Sequence, residues 1–166
     1  MSIVLSKLRW PDPNAIRNRL LENKDALRLE AIEWIFQDEE RFSTWLNDVN
    51  MRLLWIKGGA GKGKTMMTIG IVERILSAGD DSVLVTYFFC QNADSQLNTL
   101  AGTLKGLILR LMTQQEGLED SLQRRWDRRD QRFIDDMNVW QTLWVVFLEM
   151  LDRCRTPKSV HHHRCT

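Results

Sequence analysis

The run Gly58-Gly59-Ala60-Gly61-Lys62-Gly63-Lys64-Thr65 decides the reading of this chain. It fits G-x-x-x-x-G-K-[ST], the P-loop pattern of polyphosphate binding. The chemistry asks for these residue types. Such a loop wraps an anion with backbone N–H groups pointing inward, and glycines allow the left-handed conformations this needs while leaving room for phosphate. A helix starting near Gly63 aims its free N–H groups and the positive end of its dipole at the anion. Lys64 sets an ammonium against the β- and γ-phosphate oxygens, and Thr65 offers a hydroxyl to Mg²⁺. Lys62 is open between two readings: added charge beside the phosphates, or a solvated side chain.

The flanks agree with the motif. Arg52-Leu53-Leu54-Trp55-Ile56-Lys57 is a short apolar run that stops at the glycines, and it reads as a buried strand. Thr65 to Ala78 reads as a helix with Met67, Ile71 and Ile75 on one face and Gly79 as its stop. Asp80-Asp81-Ser82 reads as a turn, and Val83 to Cys90 as a strand covered on both faces, with Cys90 a small apolar core residue. After a cap at Asn92–Ser95 comes a long helix striped by Leu97, Leu100, Ala101, Leu104, Leu107, Ile108 and Leu111. A further helix is expected over Leu118–Asp130. A last one carries Trp140, Leu143, Trp144, Phe147 and Leu151, with Asp135 or Asp136 as N-cap. Upstream, Trp10-Pro11-Asp12-Pro13 is an extended lead-in. From Asn14 the apolar residues Ile16, Leu20, Leu27, Ala31, Trp34 and Ile35 take helical spacing, with a break at Asn23–Asp25. Phe42, Trp45 and Leu46 mark a short helix with Ser43 near its start. Strand, helix, strand and then helices point to an α/β layered domain.

Composition narrows the function classes. The 166 residues carry 23 Lys+Arg and 22 Asp+Glu, a formal charge of +1, which gives no general attraction to nucleic acid or anionic lipid. The longest apolar run, Trp144–Leu148, is far short of the about 20 residues a membrane span needs. No secretory signal opens the chain, so the expected compartment is the cytoplasm. Cys90, Cys154 and Cys165 fit neither a disulfide framework nor a CxxC metal pair. His161–His163 beside Cys165 have ligand chemistry, but neighbours on an extended chain face alternate sides, so the stretch reads as a tail without function. Arg124-Arg125-Trp126-Asp127-Arg128-Arg129 interleaves acid with base and reads as a solvated helix face. A nucleotide hydrolase of this class needs a second apolar strand ending in an acid. After Thr65, only Leu148-Glu149 ends such a run, and it lies within a helical stripe, so no catalytic residue is assigned.

Leu53-Leu54-Trp55-Ile56-Lys57-Gly58 running into Gly61-Lys62-Gly63-Lys64-Thr65-Met66, then Tyr87-Phe88-Phe89-Cys90-Gln91, then Leu104–Leu111 resemble the NACHT NTPase domain of fungal NOD-like receptors of the heterokaryon-incompatibility type. Asp12-Pro13 and Glu33-Trp34-Ile35 share the likeness, which covers roughly residues 8–157. The resemblance implies an incomplete three-layer α/β P-loop NTPase of the ASCE/STAND type, with a helical N-terminal segment (1–50), a partial NACHT domain (51–157) and an aberrant tail (158–166). It implies Mg²⁺ with ATP or GTP bound at Gly58 through Met66, Thr65 being the Mg²⁺ ligand. It implies self-association or assembly with full-length receptors in signal transduction and innate immunity. The family's second acidic strand is absent where Pro157–Thr166 stands. Codons GTA CAT CAT CAT CGA TGC ACT for Val160–Thr166, read one base later, give Tyr-Ile-Ile-Ile-Asp-Ala-Leu, which is such a strand. The coding DNA across codons 157–166 tests this expected truncation. Two other readings stand beside nucleotide binding: a small P-loop kinase, and an inactive receptor-gene remnant.

Overall fold

The computed structural model describes residues 12–22, 36, 39–48, 50–51, 53–79, 83–91, 94–120, 122–123 and 139–154. The helices with assigned bounds are α1 (Pro13–Glu22), α2 (Glu39–Asn47), α3 (Lys64–Ser77), α4 (Leu100–Gln114) and α5 (Trp140–Cys154). The chain divides into two compact units, one of Asn14–Val85 and one of Met1–Pro13 with Thr86–Thr166.

The helix α1 has proline at its first position, where the missing N–H costs nothing, and from Asn14 on it belongs to the unit Asn14–Val85. Its bounds are Pro13–Glu22, and the break expected at Asn23–Asp25 lies outside the described residues. Ile16 is buried on α1, and Ile69, Ile71 and Val72 are buried on α3. Arg17 Nη1 reaches Glu73 Oε1 at 2.9 Å, so an ion pair joins α1 to the phosphate-loop helix. Arg74 lies over the Phe36 ring at 5.8 Å, and Phe36 meets Phe42 edge-on at 5.0 Å. Ser43, expected near the start of its helix, lies inside α2 and accepts from Asn47 Nδ2 at 3.2 Å. The helix begins earlier than the apolar residues announce it.

Here the expectation of a buried strand at 52–57 meets a different arrangement. Residues 53–59 form neither helix nor ladder, and Leu53 and Trp55 are 76% and 79% exposed. A strand is buried only when neighbours cover its faces and pair its edges. Among the described residues, neither 53–57 nor 83–90 forms one. The α/β layering stays an expectation from sequence.

In the other unit, α4 and α5 pack against each other. The helix expected after a cap at 92–95 starts later. Asp94 Oδ1 accepts from the backbone N–H of Gln96 and Leu97, forming a turn. Thr99 is the cap, its hydroxyl accepting from Gly102 N at 3.0 Å. Leu97, Leu104, Ile108 and Leu111 of the expected stripe are buried, whereas Leu100, at the first helical position, is exposed. On α5 the inward stripe is Leu143, Val146 and Met150. Trp140 and Trp144 of the expected pattern are 44% and 45% exposed. Residues three and seven positions beyond Leu143 share its face; the two indoles lie beside that face.

Tyr87 and Phe89 are buried with rings 5.7 Å apart, while Cys90 is exposed with Sγ 4.0 Å from Thr103 Oγ1. The expected core role of Cys90 is therefore corrected: its side chain lies beside Thr103 on α4 but stays exposed to solvent. Arg110 is buried with its guanidinium 4.7 Å over the Tyr87 ring. Thr86 donates to the Leu107 carbonyl at 3.2 Å. A Cβ added at Gly106 would stand 2.5 Å from Phe88 Cδ2 and 3.5 Å from Pro13 Cγ, so glycine permits this close approach. Burial pushes the Cys154 thiol pKa up, against the opposing pull of Arg153.

Several expectations lie outside the described residues: the lead-in up to Pro11, Leu27 to Ile35, the turn 80–82, Asn92, most of the helix 118–130 with its arginine run, Asp135 and Asp136, and the tail with His161–His163 and Cys165. Leu118 and Leu122 of that helix are described, and both are buried.

Candidate phosphate-binding loop

The loop follows from two local facts. The chain turns at Ala60–Gly61, and Gly61 takes φ 72° while Gly63 takes φ 78°. No heavy atom stands within 4 Å of a Cβ built at either glycine, so conformation and not space demands glycine there. A side chain in that left-handed region costs roughly 1–2 kcal/mol. The left-handed Gly63 is also the N-cap of α3, and having no side chain it leaves the first turn uncapped. Met67 N bonds back to Gly63 O at 2.9 Å, which starts the helical ladder. The backbone N–H groups of Lys64, Thr65 and Met66 precede that first ladder bond. They are the orphan donors that every helix start presents.

Gly58, Gly59, Ala60, Gly61, Lys62 and Gly63 are all exposed, and Lys64, Thr65 and Met66 are half-buried. The structure thus brings the nine expected site residues into one exposed loop and the first turn behind it. Lys64 Nζ donates to the carbonyls of Gly58 and Gly59 at 2.8 and 2.7 Å. The lysine folds back over the start of its own loop, and this pair of acceptors was not foreseen from the sequence. The six- and five-residue separations carry the only signal, because a helix start at 64 turns the Lys64 stem toward 58–59. Lys62 is exposed; a Cβ added at Gly58 would stand 4.0 Å from its Cβ, and one added at Gly59 would stand 3.9 Å from its Cγ. Behind the loop, Thr68 Oγ1 donates to Lys64 O at 3.0 Å, which ties the first turn internally.

Electrostatically the site is a helix N-terminus with two lysines and no acid in Gly58–Met66, a setting that favours anions. Thr65 holds a hydroxyl in the first turn, one hard oxygen of the kind Mg²⁺ takes. Among the described residues no group of three or more His, Cys, Asp or Glu could hold a metal by itself. Glu149, the one acid that ends an apolar run, is on α5 in the other unit.

No helix among the described residues is long and apolar enough to cross a membrane. No solved structure matches the chain significantly. Over 147 residues it is 33% identical to the vegetative incompatibility protein HET-E-1 of Podospora anserina, a stretch that is 89% of this chain and 11% of that protein. The family described as Nephrocystin 3, N-terminal, matches residues 30–161, which include the whole phosphate-loop candidate. The chain belongs to that family.

Proposed function

We propose that this chain is the nucleotide-binding part of a NACHT-type signalling NTPase and takes Mg²⁺–ATP or Mg²⁺–GTP at Gly58–Met66. One observation carries the reading: the G-x-x-x-x-G-K-[ST] run forms a loop with left-handed Gly61 and Gly63 at the uncapped start of α3. The likeness to HET-E-1 over most of the chain supports an incompatibility-receptor context. The loop amides and helix N-terminus bind the phosphates, Lys64 leaves the Gly58 and Gly59 carbonyls to meet their oxygens, and Thr65 takes the Mg²⁺ that arrives with the nucleotide. No acid is assigned to position water, so hydrolysis stays near background. The place of action is the cytoplasm, and the partners are further copies or full-length receptors of the same type.

Calorimetric titration with Mg²⁺–ATP and Mg²⁺–GTP tests this. Lys64→Ala removes a charge-assisted contact and should weaken binding at least about tenfold. Equal affinity in the two proteins would overturn the reading. Phosphate release should be at background in both; turnover that vanishes with Lys64→Ala would reveal an acid not assigned here, and Glu149→Gln is the first variant to try.

A further inference from the structure

Helix α5 carries two apolar stripes, and α4 accounts for one of them. Leu143, Val146 and Met150 are its buried residues, and α5 packs against α4. A second stripe lies on another side of the same helix. Trp140, Trp144 and Leu148 recur every four residues, which keeps them on one face, with Val145 beside them. All four are between 42% and 45% exposed. Single exposed apolar residues are ordinary on a protein surface; two indoles and two aliphatic side chains in one stripe mark a contact surface. The ends of the stripe differ in charge. Glu149 and Asp152 are exposed at its C-terminal end, and the first turn of α5 holds no acid. Arg153, the basic residue there, faces Asp120 at 3.8 Å.

We propose that this stripe is an isologous interface: α5 of one copy lies antiparallel on α5 of a second copy, with the two-fold axis at Trp144. It gives the self-association proposed above a surface, and it needs no nucleotide at the loop. The occupant follows from shape and charge. A four-residue repeat centred on Trp144 matches itself when reversed: Trp144 meets Trp144 of the other copy, and Trp140 meets Leu148. The same reversal carries Glu149 and Asp152 to the acid-free start of the second helix, where free N–H groups and the positive end of the dipole favour negative charge. A parallel pair would instead set like acids side by side, which is unfavourable. The formal charge of +1 gives whole chains little mutual repulsion. Indoles at the centre of a contact are the side chains that carry most binding energy. Four half-exposed side chains per copy make a small patch, so the pair is a weak, reversible dimer rather than an obligate one.

Sedimentation velocity of the full chain over a concentration series should show a monomer–dimer equilibrium, in Lys64→Ala as in the wild type. Trp144→Glu sets two like charges on the axis and should weaken the dimer about thirtyfold or more. Asp152→Lys should weaken it about fivefold, the scale of a charge at a helix end counted on both copies. Introduced cysteines give the register. Under mild oxidation Trp144→Cys should cross-link between copies. Leu148→Cys should cross-link no more than the wild type with its own three cysteines. Antiparallel pairing separates the two positions 148 by about 12 Å along the helix axis, beyond disulfide reach. A chain found only as a monomer, or only as larger aggregate, overturns the proposal. So does a dimer that survives Trp144→Glu, or equal cross-linking at 144 and 148, which would mean a parallel or non-specific contact. A monomer that binds a synthetic basic amphipathic helix through Trp144 overturns it too, by giving the face to another partner. Helical content and thermal transitions matching the wild type separate loss of pairing from loss of folding, and Leu148→Lys repeats the test on the same face should Trp144→Glu not fold. A dimer that forms in a chain binding no nucleotide leaves this proposal standing while the loop reading falls.

Discussion

Single residues carry the sharpest contrasts between what the sequence announces and what only packing reveals. The left-handed conformations of Gly61 and Gly63 were legible because they are local, a demand of the turn on residues two apart. Gly106 was not legible. In the sequence it is a glycine inside a helical stripe, a mild propensity fault. In the structure the Phe88 ring fills the space where a side chain at 106 would start. Gly106→Ala would put a methyl 2.5 Å from Phe88 Cδ2, so the ring must move. Overpacking of this kind costs about 1–3 kcal/mol, more than the roughly 1 kcal/mol that alanine adds to a helix. The expected result is a lowered midpoint in chemical denaturation, recovered in part by adding Phe88→Leu. A Gly106→Ala protein as stable as the wild type would mean the approach is looser than described.

At the scale of elements, helices were read better than their edges. The phosphate-loop helix was expected over Thr65–Ala78 and spans Lys64–Ser77. The last helix begins at Trp140, later than an N-cap at Asp135 or Asp136 would start it, and it turns Val146 and Met150 inward and leaves Trp144 out. Hydrophobicity alone ranks tryptophan as core, but which face meets a neighbour is set by the partner helix, and α5 lies against α4. The start of α4 was misplaced because Asp94 and Thr99 are both cap-type residues. Asp94 closes a turn on Gln96 and Leu97, and Thr99 caps the helix itself. Thr99→Ala should therefore destabilise by about 1 kcal/mol, and Asp94→Ala should leave protection of the first turn of α4 unchanged. Hydrogen exchange at Gly102 checks this, since that amide donates to the Thr99 hydroxyl. The extended segments were the least legible. Runs such as Leu53–Lys57 declare apolar extended chain, but a strand also needs partners, and sequence periodicity says nothing of whether they are met.

The whole molecule has two units, each with its own buried residues, and an exposed apolar stretch at Leu53, Leu54 and Trp55. Two cores that open separately give a broad, non-two-state thermal transition. Exposed apolar extended chain favours association through unpaired edges, and a formal charge of +1 offers little repulsion between copies. Low solubility and a broad calorimetric transition are the expected behaviour. A monomer by light scattering with one sharp, cooperative transition would show instead that the extended segments have found a paired sheet.

The account turns on where nucleotide binds. Hydrogen–deuterium exchange of the full chain with and without Mg²⁺–ATP measures this directly, because the proposed contacts are backbone amides. The expected result is slowed exchange confined to Gly59–Met66 and the first turn of α3, and lost in Lys64→Ala. Unchanged exchange at those amides, or protection appearing only elsewhere in the chain, would contradict it.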